Sequence, residues 1–302
     1  MLYGMIDIGS NTLRLAIYLI EGRRAEMLMK KKELVGLAGY VRDGVMQPEG
    51  IARAAKVLQG FQKFLQTFRI TQVVAFTTAA LRNAKNSKDA VAELERLTGL
   101  HIRVISGEEE AAYDFVGATH DLVADDGLIF DIGGGSTEVV AYRGRQIAAK
   151  VSIPLGSLGL RTGCVQDVLP TRAECLVMEK RAEKAVAQLA DFPAGEVADV
   201  VGIGGTCKGA QALYNTVYNQ PMTNQRMAMR ELRALIPEFQ SDAGISEQMT
   251  IQLMKAVPER MHTILPGLII ADALARRFHT QNIIYSDSGV REGFIYTEIL
   301  KG

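Results

Sequence analysis

The sequence has no tryptophan and only three cysteines, Cys164, Cys175 and Cys207, among 302 residues. No two of them form a CxxC pair, and this odd, sparse set excludes a disulfide framework and favours a reducing compartment. The first residues also lack the basic segment and apolar run of a secretory signal, because Asp7 and Asn11 interrupt the apolar residues. We therefore expect a cytoplasmic protein.

Long apolar runs and an excess charge of one sign are missing too. The most apolar stretch, residues 264–275, contains Pro266 and Asp272 and is too short to span a bilayer. The 34 Lys and Arg residues balance the 34 Asp and Glu residues, so no overall field attracts DNA or an anionic membrane. We expect neither as a partner, and any anionic ligand must be bound by local groups.

The chain is long enough for two domains, and its predicted elements occur in two similar series. The order strand, strand, strand, helix, strand, helix, strand, helix is found twice, with helical insertions in the second copy. The first copy has predicted strands at 3–8, 13–20, 25–32, 73–77 and 102–105 and helices at 48–68, 87–98 and 107–120. The second has strands at 127–131, 138–142, 147–153, 199–203 and 282–285, helices at 171–190, 206–214 and 290–300, and further helix up to 278.

This repetition predicts an α/β fold of two domains packed face to face across a cleft. Domain I comprises residues 1–120 and 289–302, and domain II comprises residues 121–288.

Three glycine-rich turns follow predicted core strands: DIGSNT from Asp7, DIGGGSTE from Asp131 and GIGGT from Gly202. For any one of these turns, a purely structural role is the alternative: a hairpin in which glycine is needed only because the backbone has a positive φ. Three such turns favour a function, because bare main-chain N–H groups bind anions and a helix N-terminus adds its dipole. None is a Walker A loop or a GxGxxG fingerprint. The predicted phosphate-binding residues are Gly9, Ser10, Asn11, Thr12, Gly133, Gly134, Gly135, Ser136, Thr137, Gly204, Gly205, Thr206 and Lys208. For Lys208, a solvated side chain without this role is the alternative.

Two acidic residues, Asp7 and Asp131, end apolar strands, where a carboxylate is costly unless it is paired or binds a metal. Glu138 lies seven residues beyond Asp131, across the turn, so oxygen ligands could converge on Mg²⁺ or Mn²⁺. An aspartate that hydrogen-bonds its own turn is the common alternative for a single instance. The doubled aspartate favours metal coordination by Asp7, Asp131 and Glu138.

Six blocks resemble, in the same order, the exopolyphosphatase/guanosine pentaphosphatase family. They are DIGSNT at Asp7, TTAALRNAKN at Thr77, ISGEEEA at Ile105, DIGGGSTE at Asp131, GIGGT at Gly202 and SDSGVREG at Ser286. The resemblance is to the short, two-domain form, and it implies two ribonuclease-H-like domains of the actin-like ATPase superfamily with the active site in the cleft between them. It also implies Mg²⁺-dependent hydrolysis of the terminal phosphoanhydride of inorganic polyphosphate, or of the γ-phosphate of guanosine pentaphosphate. Guanosine tetraphosphate is a further expected ligand, and a homodimer is expected because family members often dimerise.

The resemblance further implies that Glu110 is the catalytic base, that Arg82 contacts phosphate and that the acids of the second turn hold the metal. The residues themselves separate the three consecutive glutamates. Ser106 to Glu109 has the spacing of a capping box, and Glu108 can complement the helix dipole, whereas Glu110 serves neither purpose. Arg82 follows a strand end of the kind that binds ligands in open α/β folds. Strand alternation is expected to turn Arg14 away from the first turn.

Three rivals to an exopolyphosphatase remain at this point. A guanosine pentaphosphate phosphohydrolase would use the same motifs. A non-catalytic sensor of polyphosphate or alarmone would need no base, so the intact acids argue against it. An ATP-dependent kinase or an actin-like filament protein would share the fold, but the six blocks together favour a phosphohydrolase.

Overall fold

The computed structural model describes residues 1–120, 124–242 and 244–300. Its contacts divide the chain into two compact units, one of Met1–Glu110 with Phe294–Gly302 and the other of Ala111–Gly293. The first residues of predicted domain II, 121–123, lie outside the described residues. Within the described ranges, no helix combines the length and the apolar character that crossing a membrane requires.

The first unit is built on a five-stranded mixed sheet. Its strands lie in the order β3-β2-β1-β6-β7, with β2 antiparallel to β1 and β3, and with β6 parallel to β1 and β7. The strands are β1 (Leu2–Ile8), β2 (Thr12–Glu21), β3 (Arg24–Leu34), the short pair β4 (Val41–Arg42) and β5 (Val45–Met46), β6 (Gln72–Thr77) and β7 (Ile102–Val104). The helices are α1 (Pro48–Thr67), α2 (Ala79–Arg82), α3 (Ser87–Thr98) and α4 (Gly107–Thr119), and the last of these continues into the second unit.

Helix α1 shows how the sequence pattern produces this unit. Proline at its first position fits a helix start, because its missing N–H has no intrahelical partner there. Apolar residues at helical spacing, among them Leu58, Phe61 and Leu65, form one buried face. That face packs against the apolar side of β1 and β2, where Ile6, Leu13 and other residues complete the core.

The second unit repeats the strand order and adds helices and one strand. Its sheet order is β10-β9-β8-β11-β13-β12. The strands are β8 (Gly127–Ile132), β9 (Thr137–Arg143), β10 (Gln146–Ile153), β11 (Asp199–Ile203), β12 (Arg226–Ala228) and β13 (Asn282–Tyr285). The helices are α5 (Ser157–Thr162), α6 (Arg172–Val186), α7 (Gly204–Val217), α8 (Met229–Glu238), α9 (Glu247–Ala256), α10 (Met261–Arg277) and α11 (Val290–Phe294). The last residue of α11 and the wider π-type turn that follows it, Ile295–Ile299, are counted with the first unit.

The predicted α/β duplication is thus confirmed at the level of strand order. In each unit three antiparallel strands are followed by two parallel strands on the far side of the first strand, which is the ribonuclease-H-like arrangement. The prediction of further helix between residues 214 and 278 is wrong at β12. There Asn224 donates through its main chain to Pro221 and through its side chain to the Arg226 carbonyl, and this turn ends the helical path and lets β12 pair with β13.

Helix α4 explains why the observed division lies ten residues before the predicted one. Its apolar residues Ala111, Phe115 and Ala118 belong to the core formed by β8, β9 and β11 of the second unit. The Phe115 ring lies 5.5 Å from the Tyr142 ring. Most of α4 is therefore packed as part of the second unit, although its first residues are counted with the first.

A close contact between Gly117 of α4 and the main chain at Gly289 leads to a prediction about stability. A Cβ at Gly117 would meet the main-chain carbonyl of Gly289, which cannot rotate away, whereas a Cβ at Gly60 would meet nothing within 4 Å. Gly117→Ala should therefore destabilise the fold by about 3 kcal/mol or more. Gly60→Ala, inside α1, should stabilise it by about 0.5–1 kcal/mol, because alanine loses less backbone entropy in a helix.

Chemical denaturation of the two variants and the wild type measures both effects. A Gly117→Ala protein as stable as the wild type would show that α4 does not pack as closely as described.

Candidate active site

The first and second glycine turns have the same internal geometry. The Gly9 N–H donates to the Thr12 carbonyl at 3.2 Å, and the Gly133 N–H donates to the Ser136 carbonyl at 2.9 Å. In both turns an added Cβ on the glycine would lie 3.0 Å from that same carbonyl oxygen. The two copies therefore share one turn, and in both the tight closure explains the first glycine.

Neighbouring main-chain N–H groups bind the carbonyl oxygens of both turns. In the first unit, Val35 and Gly36 donate to Asn11. In the second unit, Leu158 and Gly159, at the start of α5, donate to Gly134. Once their carbonyls are held by the protein in this way, such turns can present N–H groups to an anion.

Strand pairing gives Asp7 a partner, Arg14, which the sequence analysis expected to point away from the first turn. Arg14 stands directly opposite Asp7 in the β1–β2 register, so the two side chains lie on one face of the sheet. The Arg14 Nη1 donates to the Asp7 Oδ2 at 2.9 Å, and the carboxylate is buried. The expectation for Arg14 is therefore wrong, because alternation was counted without the partner strand. That Asp7 binds a metal stays a prediction.

The third turn brings the main chain close to Asp131. Gly204 has a φ of 75°, a left-handed conformation that favours glycine, and an added Cβ there would meet the Asp131 carboxylate. Its neighbour Gly205 lies against the Arg260 guanidinium in the same way. Sequence reasoning missed Arg260, which no motif marks. Lys208 is half exposed, and its Nζ lies 2.8 Å from the Asp287 carboxylate.

Three carboxylates of the second unit converge beside this turn. Asp114, Asp131 and Glu138 each offer an oxygen, and these oxygens lie within 4.8 Å of one another. Asp131 and Glu138 face each other across the β8–β9 pair, which explains their predicted convergence. Glu138 is 1% exposed and accepts a 2.6 Å hydrogen bond from the Ser152 hydroxyl.

This cluster fits a hard divalent cation. Carboxylate oxygens are the preferred ligands of Mg²⁺ and Mn²⁺, and buried like charges need a counter-charge. The glycine at position 204 keeps a side chain out of the space beside Asp131. Asp114 was missed by sequence reasoning, although a charged residue inside the apolar run of α4 was a usable signal.

The first unit brings the predicted base and the predicted phosphate-binding arginine together. The Arg82 Nη1 lies 2.5 Å from the Glu110 Oε2, and both side chains are largely buried, at 13% and 9% exposure. Arg82 also donates to the Ile105 carbonyl at 3.3 Å, which orients its guanidinium. The pair therefore places a carboxylate and a cation side by side in a position sheltered from water.

Glu109, the residue before Glu110, has the capping role that the sequence predicted. Glu109 accepts from the Ser106 main-chain N–H at 2.7 Å, and the Ser106 Oγ accepts from the Glu109 N–H at 3.1 Å, which completes the capping box. These bonds, with Arg103 beside it, lower the pKa of Glu109. Glu108 is exposed, so Glu110 is the buried member of the three.

The two buried cysteines, Cys175 and Cys207, are poor candidates for an alternative nucleophile. Burial raises the pKa of the Cys175 thiol to about 11. Burial and the nearby Asp131 charge raise the pKa of Cys207 as well. Both thiols stay protonated near neutral pH and are poor nucleophiles, because the thiolate is the reactive form.

Comparisons with known proteins show the family and the fold of this chain. The Ppx/GppA phosphatase family model matches residues 17–302, so the chain belongs to this family, whose members hydrolyse phosphoanhydride bonds. A Ppx/GppA family member from Aquifex aeolicus is 28% identical, with a TM-score of 0.76 over 100% of this chain and 98% of that one. An exopolyphosphatase from Cytophaga hutchinsonii shares the fold, with a TM-score of 0.85 at 21% identity over 100% of this chain and 98% of that one.

Proposed function

We propose that this protein is an exopolyphosphatase that removes terminal phosphates from inorganic polyphosphate in a reaction that needs Mg²⁺ or Mn²⁺. The observation that carries the proposal is the buried acidic cluster beside the bare turn at Gly204. Such a combination suits a phosphate–metal complex, because main-chain N–H groups bind phosphate oxygens while carboxylates hold the cation. The Ppx/GppA membership supports the same chemistry.

Substrate binding is assigned to the three glycine turns. Main-chain N–H groups and the hydroxyls of Ser10, Thr12, Ser136 and Thr206 donate to the terminal phosphate oxygens. The Thr137 hydroxyl, which the sequence also predicted as a phosphate donor, instead donates to the Leu155 carbonyl at 2.6 Å. Donors that are already held in place lose little freedom when the charge develops, which is the main source of stabilisation in phosphoryl transfer.

The metal site is assigned to Asp131 and Glu138, with Asp7 as a further proposed ligand. A bound divalent cation would neutralise charge on the phosphate oxygens and help to align the terminal group. The hydrogen bond from Ser152 holds the Glu138 carboxylate in one orientation, as metal ligands usually require.

The chemical step is assigned to Glu110 and Arg82. Glu110 accepts a proton from a water molecule as that water attacks the terminal phosphorus, and the phosphoanhydride oxygen leaves with the rest of the chain. Arg82 has five N–H donors, so it can hold Glu110 and a phosphate oxygen at the same time. In this way the guanidinium offsets the growing negative charge on the phosphate and keeps its hydrogen bond to Glu110.

The closest alternative substrate is guanosine pentaphosphate, since the same residues would remove its terminal 5′-phosphate. A sensor that binds polyphosphate or alarmone without turnover is the alternative from another class. A buried Glu110 beside Arg82, the proposed phosphate-binding arginine, argues against the sensor, because binding alone has no need of a base.

Phosphate release separates these functions. Long polyphosphate, short polyphosphate, guanosine pentaphosphate and ATP are each incubated with the protein, with Mg²⁺, with Mn²⁺ and with EDTA. We expect metal-dependent release, fastest from polyphosphate. Faster release from guanosine pentaphosphate would replace the proposed substrate, and tight binding without release from any substrate would establish the sensor.

A further inference from the structure

We propose that Asp114 is an additional carboxylate ligand of the divalent cation, beside Asp131 and Glu138, and that metal binding through it positions helix α4. The inference rests on the proposed function, which places the cation at Asp131 and Glu138. It adds a ligand from a different element of the fold, and it assigns the metal a positioning role beside its role in the reaction.

The burial of Asp114 is the first support. Its side chain is 0% exposed, in a helix whose neighbouring residues Ala111 and Phe115 belong to an apolar core. One of its carboxylate oxygens lies within 4.8 Å of oxygens of Asp131 and Glu138. Three carboxylate oxygens so close together are the type and number of ligands that a divalent cation binds.

The fit of α4 is the second support. Gly117 and Tyr113 of this helix meet the main chain at Gly289 and Gly293 so closely that an added Cβ on Gly117 or Gly293 would strike a carbonyl. An added Cβ on Gly289 would also lie 3.5 Å from the Asp114 Oδ1. Small residues therefore line the approach to Asp114, and the helix cannot shift far without moving the carboxylate away from its two neighbours.

The consequence concerns the rest of the helix. Asp114 follows Glu110 by four residues in α4, and residues four apart in a helix lie on the same face, one turn from each other. A cation that draws Asp114 toward Asp131 and Glu138 therefore also limits the movement of the turn that carries the proposed base. Asp114 would then act as a metal ligand and as a positioning residue for Glu110.

The test compares Asp114→Asn with Glu108→Gln, which removes an exposed charge from the same helix. Titration calorimetry with Mn²⁺ measures affinity, and thermal unfolding with and without Mn²⁺ measures stabilisation by the metal. We expect Asp114→Asn to bind Mn²⁺ at least about tenfold more weakly, because one charged ligand is lost. Mn²⁺ should also raise the melting temperature of this variant less than that of the wild type, because the variant binds the metal more weakly. Glu108→Gln should match the wild type in both measurements.

Hydrogen exchange of the wild-type protein, with and without Mn²⁺, provides an independent measurement. Mn²⁺ should slow exchange of the main-chain amides of residues 111–119, and Asp114→Asn should lose this protection. Wild-type Mn²⁺ affinity in Asp114→Asn, or unchanged exchange in α4 of the wild type, would overturn the inference.

Asp131→Asn separates this failure from failure of the proposed function. If Asp131→Asn abolishes Mn²⁺ binding while Asp114→Asn retains it, only the role of Asp114 is wrong. If the wild type itself binds no Mn²⁺, the metal site of the proposed function is wrong, and the inference is wrong with it.

Discussion

Replacing Glu110 with glutamine should lower kcat by about 10²- to 10⁴-fold, the usual contribution of a general base. KM should stay within about threefold of the wild-type value, because glutamine has nearly the same shape and the phosphate contacts remain. Steady-state phosphate release from polyphosphate at saturating Mg²⁺ measures both constants. Thermal unfolding of the variant confirms that loss of the ion pair with Arg82 has not unfolded the protein.

The matched control is Glu109→Gln, one residue earlier in the same helix. Glutamine can still complete the capping box with Ser106, so the helix start should remain intact. We expect kcat of this variant within about twofold of the wild type, since the proton acceptor is unaffected. Equal losses in the two variants would assign the effect to the helix start, and a fully active Glu110→Gln protein would remove Glu110 from the role of base.

Gly204→Ala should lower kcat/KM by about 10²-fold or more. The new Cβ would occupy the space of the Asp131 carboxylate, and alanine is strained at the observed φ of 75°. Either the turn or Asp131 must then move, and a displacement of about 1 Å in a reacting geometry can cost about 10²-fold. Phosphate release at several Mg²⁺ concentrations measures the loss, and we expect a higher Mg²⁺ requirement as well.

Gly144→Ala is the matched control for backbone strain. Gly144, in the turn between β9 and β10, also has a positive φ, 55°, but an added Cβ would meet nothing within 4 Å. This variant should lose about 1–2 kcal/mol of stability and keep wild-type kcat/KM. A normal kcat/KM in Gly204→Ala would show that the site tolerates a displaced Asp131, and an equal loss in Gly144→Ala would point to strain alone.

Local patterns predicted much of the secondary structure. Helix α3 and strands β11 and β13 have the predicted bounds, because short apolar segments between turn residues carry a clear period. The three glycine turns and the Ser106 capping box were also readable, since both depend on residues close together in sequence. The Asp131–Glu138 approach belongs to this group, because one hairpin brings the two residues together.

Contacts between distant residues could not be read in this way. Arg14 was expected to turn away, but its position opposite Asp7 depends on the β1–β2 register. The Arg82–Glu110 pair joins residues 28 apart, and each was predicted only in a separate role. Strand β12 was predicted as helix, because its three residues become a strand only by pairing with β13. Register and pairing partners are properties of the folded chain.

By itself, the sequence determined the duplicated α/β order, the bare turns and the capping box of Ser106 and Glu109. Each of these depends on the conformational preference or the spacing of residues within a few positions of one another. Only the tertiary structure decided that Asp114 joins Asp131 and Glu138, because the packing of α4 against the β8–β9–β11 core sets that distance. The physical reason is that helix packing is determined by the summed burial of many side chains, which no single stretch of sequence contains.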